Sequence, residues 1–121
     1  MNSAAGEKTL LVVDDESTVC RALSRMLGDQ VARVLTASSP AEAETVLESQ
    51  EVTHLICDHW FGPGEPVGLE VASKWKQQYG SLVKVVVLTG TDVTRLDAAQ
   101  GVDCIMDKTA SPEEIARALG F

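Results

Sequence analysis

In Leu10-Leu11-Val12-Val13-Asp14-Asp15-Glu16 a short apolar run of strand length is followed at once by three acids, and this pattern is the starting point for predicting the fold. Further apolar runs of strand length occur at Val31 to Leu35, Leu55 to Cys57, Val83 to Leu88 and Val102 to Met106. These runs are rich in Val, Ile and Leu and alternate poorly with polar residues, which is typical of strands covered on both faces.

Segments with helical spacing separate these runs. The first has an apolar stripe that ends before Gly28, and a third helix is expected from about Gly68. Two helices carry a clear start signal, Ser39-Pro40-Ala41-Glu42 and Ser111-Pro112-Glu113-Glu114, in which a serine cap precedes proline and a glutamate follows three residues later. A further helix is expected near Asp92 to Gln100, on a weak apolar pattern.

Alternating strands and helices of this kind predict an α/β fold, a doubly wound five-stranded parallel sheet with helices on both faces. In such sheets the ligand site lies at the carboxyl ends of the strands, where the strand order reverses. Functional residues are therefore expected directly after each apolar run.

Composition excludes several classes of protein. The chain has 121 residues, 45% of them hydrophobic, and its formal net charge of −8 argues against a basic surface that binds nucleic acid. Three widely spaced cysteines make neither a zinc motif nor a disulfide framework, and no apolar run is long enough to span a membrane. We therefore expect a cytoplasmic protein with a flexible tail over residues 1–8 and one domain over residues 9–121.

Charged and hydroxyl side chains follow four of the five predicted strands. Asp14 and Asp15 follow the first, Asp58 the third, Thr89 closes the fourth, and Lys108 comes two residues after the fifth. Each carboxylate pair at ~4 Å repels by about 4 kcal/mol at an effective dielectric of about 20, so such a cluster needs solvent, protons or a cation. All-oxygen ligands suit Mg²⁺, or Mn²⁺, and the set as a whole suits phosphoryl transfer.

These residues resemble the receiver domain of two-component response regulators, from Leu10 to about Leu119. The resemblance implies a flavodoxin-like sheet with strand order 2-1-3-4-5. It also implies Mg²⁺ held by Asp14, Asp15 and Asp58. Asp58 would be the phosphorylated residue, and the backbone carbonyl of Trp60 a further metal ligand. Thr89 would bind a phosphoryl oxygen and report the phosphorylated state, and Lys108 would pair with the acceptor and then with the phosphoryl group.

Three departures from the family pattern qualify this resemblance. The loop after Asp58 is about two residues longer than usual and carries Trp60 and Phe61, of which Trp60 either covers the rim of the site, shields the aspartyl phosphate from water or anchors a partner. Ile105 occupies a switch position where many relatives have an aromatic residue. Thr109 replaces the usual proline after Lys108, where a rebuilt trans turn is expected in place of a cis bond.

Three functions are compatible with the sequence. The first is a phospho-accepting receiver, not an enzyme for an external substrate, that takes a phosphoryl group from a histidine kinase or phosphotransfer protein and signals to an unidentified protein partner. The second is a phosphorylation-independent interaction module with a degenerate switch, favoured by Ile105 and Thr109. The third is a Mg²⁺-dependent phosphatase or hydrolase, for which the chain offers neither a P-loop nor a nucleophile–histidine pair.

Overall fold

The computed structural model describes residues 7–90 and 101–121, and within them five parallel strands form one sheet. The strands are β1 (Thr9–Val13), β2 (Arg33–Ala37), β3 (His54–Asp58), β4 (Lys84–Thr89) and β5 (Cys104–Asp107). Their order in the sheet is β2-β1-β3-β4-β5, as the family resemblance implied.

Four α-helices connect or follow the strands in the described ranges: α1 (Ser17–Leu27), α2 (Pro40–Ser49), α3 (Gly68–Gln78) and α4 (Pro112–Leu119). A 3₁₀ turn, Gly28–Gln30, continues α1. The helix expected near Asp92 to Gln100 and most of the expected tail, residues 1–6, lie outside the described residues.

Both serine start signals are confirmed. The Ser39 hydroxyl accepts a hydrogen bond from the Glu42 backbone N–H at 3.1 Å. At α4 the box is complete, because the Ser111 hydroxyl accepts from the Glu114 backbone N–H while the Glu114 carboxylate accepts from that of Ser111. These contacts satisfy donors that every helix start leaves without an intrahelical partner, which is why the sequence signal located both starts correctly.

The core is divided by the sheet into two layers. Because strand side chains alternate between faces, Leu11, Val13, Leu55 and Val85 pack with residues of α2 and α3, among them the fully buried Trp75. The neighbouring positions Leu10, Val12, Ile56 and Val86 pack with α1 and α4 on the other face. Helices therefore cover both faces, as predicted.

Each edge strand begins two residues later than the sequence predicted, β5 at Cys104 instead of Val102 and β2 at Arg33 instead of Val31. The apolar run predicted β2 at Val31 to Leu35, whereas the strand is Arg33–Ala37 and pairs with β1 from Thr9↔Arg33 onward. The 3₁₀ turn after α1 carries the chain to Val31 before pairing starts, and the backbone N–H groups of Ala32 and Arg33 both donate to the Lys8 carbonyl. As an edge strand, β2 is only partly buried, so its apolar pattern locates it poorly.

None of the helices in residues 7–90 and 101–121 has the length and apolarity that crossing a bilayer requires.

Candidate functional site

Four of the five strands deliver chemically active side chains to one edge of the sheet. Asp14 follows β1 directly, Asp58 is the last residue of β3, Thr89 is the last of β4, and Lys108 follows β5. The register places Asp58 beside Leu88 and Thr89 beside Asp107, so the ends of β3, β4 and β5 lie side by side. The carboxyl edge of the parallel sheet thus assembles residues that lie up to 94 positions apart in the sequence.

The first group at this edge is a cluster of three aspartates. One carboxylate oxygen from each of Asp14, Asp15 and Asp58 lies within 4.8 Å of the others. Asp14 and Asp58 are 2% and 4% exposed, whereas Asp15 is exposed to solvent. An all-oxygen set, buried on one side and open on the other, fits Mg²⁺ or Mn²⁺, which keep several waters when bound.

A hydrogen bond orients the first of these carboxylates. Asp14 Oδ1 accepts from the Glu16 backbone N–H at 2.9 Å, which leaves Asp14 Oδ2 to face the neighbouring ammonium. This turn is local to the Asp14-Asp15-Glu16 run, so the sequence itself specifies how the acids leave the strand.

Lys108 supplies the positive charge of the site. Its Nζ lies 3.3 Å from Asp14 Oδ2, 3.3 Å from Asp58 Oδ1 and 3.4 Å from Glu16 Oε1. Burial lowers the pKa of Lys108, but the carboxylates of Asp14 and Asp58 outweigh burial and hold the pKa above its ordinary value. The ammonium is therefore charged at neutral pH and stands between the two buried carboxylates.

The two buried carboxyl groups are destabilised as anions. Burial raises the pKa of Asp14, and the negative charge of Asp58 raises it further, while the Glu16 backbone and Lys108 oppose both effects. Burial also raises the pKa of Asp58, against the opposing effect of Lys108. A divalent cation at the cluster would stabilise both anions, and the role of the three aspartates as metal ligands stays a prediction.

An open pocket of about 370 Å³ lies at this edge of the sheet. Its walls are formed by Asp15, Glu16, Asp58, Trp60, Gly90 and Lys108. Thr89, one residue before Gly90, is 1% exposed at the end of β4. The pocket has room for a phosphoryl-sized group next to Asp58, with Lys108 on one side and Trp60 at the rim.

The backbone of Asp58 is fixed by the loop that follows it and by the start of α3. A side-chain carbon at Gly68 would lie 1.9 Å from the Asp58 carbonyl oxygen, so only glycine fits there. The Gly68 backbone N–H donates to the His59 carbonyl at 2.7 Å, and the Leu69 N–H donates to His59 Nδ1 at 3.3 Å. The side chain of His59 therefore faces α3. The sequence contained Gly68, but nothing in it indicated this close approach.

The two aromatic residues of the loop after Asp58 lie in different environments. Phe61 is 9% exposed and joins the core on the α2 and α3 face, whereas the Trp60 side chain is 59% exposed beside the pocket. Gly62 and Gly64 both have positive φ, which lets the loop turn between Phe61 and α3. The role of the Trp60 carbonyl as a metal ligand stays a prediction.

The structure also describes the other two departures from the family pattern, at Ile105 and Thr109. Ile105 is partly buried against the core on the α2 and α3 face and pairs in register with Val87. No cis peptide bond occurs in the described residues, so the expected trans turn at Lys108–Thr109 is confirmed. The switch role of Ile105 stays a prediction.

An apolar groove of about 210 Å³ adjoins the pocket and was not foreseen from the sequence. It lies between α1 and α4 and is lined by Val19, Ala22, Leu23, Met26, Leu88, Lys108, Ala110, Pro112 and Ile115. Met26 is 54% exposed. The only signal in the sequence was the apolar stripe of α1. This stripe includes Met26, which is exposed, as well as Leu23 and Leu27, which are buried in the core. Lys108 lines both the groove and the pocket.

Comparison with curated proteins finds a relative of similar sequence. The chain is 38% identical over 86 residues to the hydrogenase transcriptional regulatory protein HoxA of Cupriavidus necator, a match that covers 71% of this chain and 17% of HoxA. The chain thus spans about a sixth of the length of this relative.

Two similar solved structures carry ligands. A response regulator from Burkholderia pseudomallei, with a phosphorylated aspartic acid, a calcium ion and citrate, superposes with a TM-score of 0.80 at 26% identity, covering 93% of this chain and 66% of that one. The Thermotoga maritima response regulator TrrA, in complex with Mg²⁺ and BeF, gives a TM-score of 0.79 at 25% identity and coverage of 93% and 96%.

The family model of the response regulator receiver domain matches residues 10–120, which contain every strand and helix described above except Thr9 at the start of β1. The strand order and the helices on both faces agree with this match. The chain therefore belongs to the response regulator receiver domains of two-component signalling.

Proposed function

We propose that the chain is a phospho-accepting receiver, in which Asp58 takes a phosphoryl group from a histidine kinase or a phosphotransfer protein. The observation that carries this proposal is the position of the Lys108 ammonium, 3.3 Å from both buried carboxylates, Asp14 and Asp58, at the edge of an open pocket. The receiver unit is taken as residues 9–121, which begin with β1.

The reaction is a displacement at phosphorus. A carboxylate oxygen of Asp58 attacks, an O–P bond to Asp58 forms, and the bond between phosphorus and the donor's histidine nitrogen or acyl oxygen breaks with its electron pair leaving on the donor. Lys108 faces the attacked group and neutralises charge on the phosphoryl oxygens, and Thr89 donates its hydroxyl to one of them. Mg²⁺, held by Asp14, Asp15, Asp58 and the Trp60 carbonyl, would neutralise further charge when bound.

Signalling follows from the rearrangement around the acceptor. Once Lys108 pairs with a phosphoryl group, that stronger partner weakens its contacts with Asp14 and Glu16. Thr89, the last residue of β4, and Ile105 on β5 then report the change. A shift of this kind alters the surface that a protein partner binds. The chain acts as a signalling phospho-acceptor in the cytoplasm, without direct contact to nucleic acid or membrane, and not as an enzyme for an external substrate.

The apolar groove between α1 and α4 supports a protein donor. A domain that brings a phosphohistidine to Asp58 has to cover the surface around the pocket, and this groove adjoins it through Lys108. Half-exposed Met26 offers a flexible apolar contact of the type common at protein interfaces.

The test is incubation with Mg²⁺ and a small acyl phosphate, followed by intact-mass measurement. We expect the wild-type protein to gain one phosphoryl group and Asp58→Asn to gain none. Asp29→Asn, which changes an exposed carboxylate in the 3₁₀ turn after α1, is the matched control and should be phosphorylated like wild type.

Two results would contradict the proposal. A wild-type protein that gains no mass with donor and metal present would exclude phospho-acceptance. Equal gain by Asp58→Asn would show that another residue is the acceptor.

A further inference from the structure

The turn after β5 is held by a side chain that the family pattern does not assign. Oδ1 of Asp107 accepts two hydrogen bonds from Thr109, one from its backbone N–H at 2.9 Å and one from its hydroxyl at 2.7 Å. The Ala110 backbone N–H also donates to the Asp107 carbonyl at 2.9 Å. A carboxylate that accepts from the N–H two residues later forms an Asx turn, which fixes the intervening residue.

The intervening residue is Lys108. On its other side its backbone N–H donates to the Thr89 carbonyl at 2.9 Å, so the main chain of Lys108 is fixed both to β4 and within its own turn. From this position its side chain reaches Asp14 and Asp58 at equal distances of 3.3 Å.

The hydrogen bonds of Asp107 restrain a turn in which the residue after Lys108 is threonine and not proline. A proline after the lysine restricts the backbone through its ring, and Thr109 has no such ring. Thr109 instead has an N–H and a hydroxyl to donate, and both go to Asp107. These hydrogen bonds hold the pKa of the exposed Asp107 carboxyl below its ordinary value, so it is ionised, and is the stronger acceptor, at neutral pH.

We propose that Asp107 is a positioning residue for phosphoryl transfer, whose Asx turn with Thr109 fixes the main chain of Lys108 so that the ammonium reaches the phosphoryl group on Asp58. This inference rests on the proposed function. Because reaction rates depend steeply on geometry, a displacement of about 1 Å in a charged group can cost up to about a hundredfold in rate.

The test compares Asp107→Ala with Asp107→Asn. Asparagine keeps an Oδ1 acceptor and also forms Asx turns, whereas alanine has none. With Mg²⁺ and a small acyl phosphate, we expect Asp107→Ala to be phosphorylated on the order of tenfold more slowly and Asp107→Asn to keep most of the wild-type rate. The affinity for Mg²⁺ alone should stay within about twofold in both variants, since the proposed metal ligands lie directly after β1, at the end of β3 and in the loop after β3.

A double-mutant cycle separates positioning from loss of stability. In a Lys108→Ala background the further change Asp107→Ala should have no effect on the phosphorylation rate, because there is no ammonium left to position. Urea unfolding of each variant gives the folded fraction by which rates are corrected.

Three outcomes would overturn the positioning role alone, and a fourth would overturn the proposed function as well. Phosphorylation of Asp107→Ala at the wild-type rate, an Asn variant as slow as the Ala variant, or additive effects in the cycle would overturn the positioning role while leaving the phospho-acceptor intact. A wild-type protein that takes up no phosphoryl group would overturn the proposed function, and this inference with it.

Discussion

The close contact between α3 and the end of β3 predicts a large effect of a very small substitution, Gly68→Ala. The added methyl group would lie 1.9 Å from the Asp58 carbonyl oxygen, 2.7 Å from its carbonyl carbon and 2.8 Å from the His59 Cα. Ordinary contacts begin near 3.4 Å, so the helix start and the strand end would have to separate by about 1.5 Å. All three obstacles are backbone atoms, which no rotamer change moves away.

The magnitude follows from two opposing contributions. Overpacking a well-packed contact costs about 1–3 kcal/mol, and a rigid backbone neighbour places this case at the upper end. Alanine returns at most about 1 kcal/mol through its better helix propensity, and less here because Gly68 is the first residue of α3. We expect the free energy of unfolding to fall by about 2–3 kcal/mol.

Urea denaturation at pH 7 measures this change, with Gly80→Ala as the matched control. Nothing lies within 4 Å of a side-chain carbon at Gly80, so its free energy of unfolding should stay within about 0.5 kcal/mol of wild type. Because two of the three displaced atoms belong to Asp58, phosphorylation of the folded fraction should slow as well. A Gly68→Ala protein as stable as the Gly80→Ala control would rule out this steric cost.

The other predictions concern the charges and the rim of the pocket. Lys108→Met should lower the free energy of unfolding by about 3–5 kcal/mol at pH 7, since it leaves Asp14 and Asp58 buried without their cation. The loss should shrink toward pH 4 as the carboxyls take up protons, and urea curves showing an equal loss at both pH values would contradict this. Asp58→Asn should be more stable than wild type at neutral pH. The folded pKa of Asp58 is raised, so ionisation destabilises the native state as pH rises, and this advantage should vanish below the ordinary pKa of Asp, about 3.9. A pH-independent difference would argue against the electrostatic cause. Mg²⁺ at about ten times its dissociation constant should stabilise wild type by about 1.4 kcal/mol in thermal or urea unfolding, and less as pH falls because Asp14 and Asp58 must be ionised to bind it. Equal stabilisation of Asp14→Asn would exclude Asp14 as a ligand. Trp60→Ala should lose its phosphoryl group faster in a mass time course if the exposed indole shields Asp58, and an unchanged decay rate would remove that role.

Local physics explains which elements could be predicted from the sequence. The serine caps and the central strands were located correctly, because hydrogen bonding at a helix start and burial on both sides of a strand leave patterns within a few residues. The acids, Thr89 and Lys108 could be placed at one edge because parallel strands end at the same edge. The edge strand β2 was misplaced by two residues, since its partial burial leaves a weaker pattern and the 3₁₀ turn before it has no distinctive signal.

The fold class and the charged residues at the strand ends could be predicted from the sequence, as could the strand order through the family resemblance. Three contacts became known from the folded structure alone: Gly68 lies against the Asp58 carbonyl, Asp107 accepts hydrogen bonds from Thr109 across Lys108, and an apolar groove between α1 and α4 adjoins the pocket. The difference lies in how far apart along the chain the interacting residues are. Strand and cap signals arise from neighbours along the chain, whereas these contacts depend on the relative placement of separate elements or on a turn conformation that residue type alone does not specify.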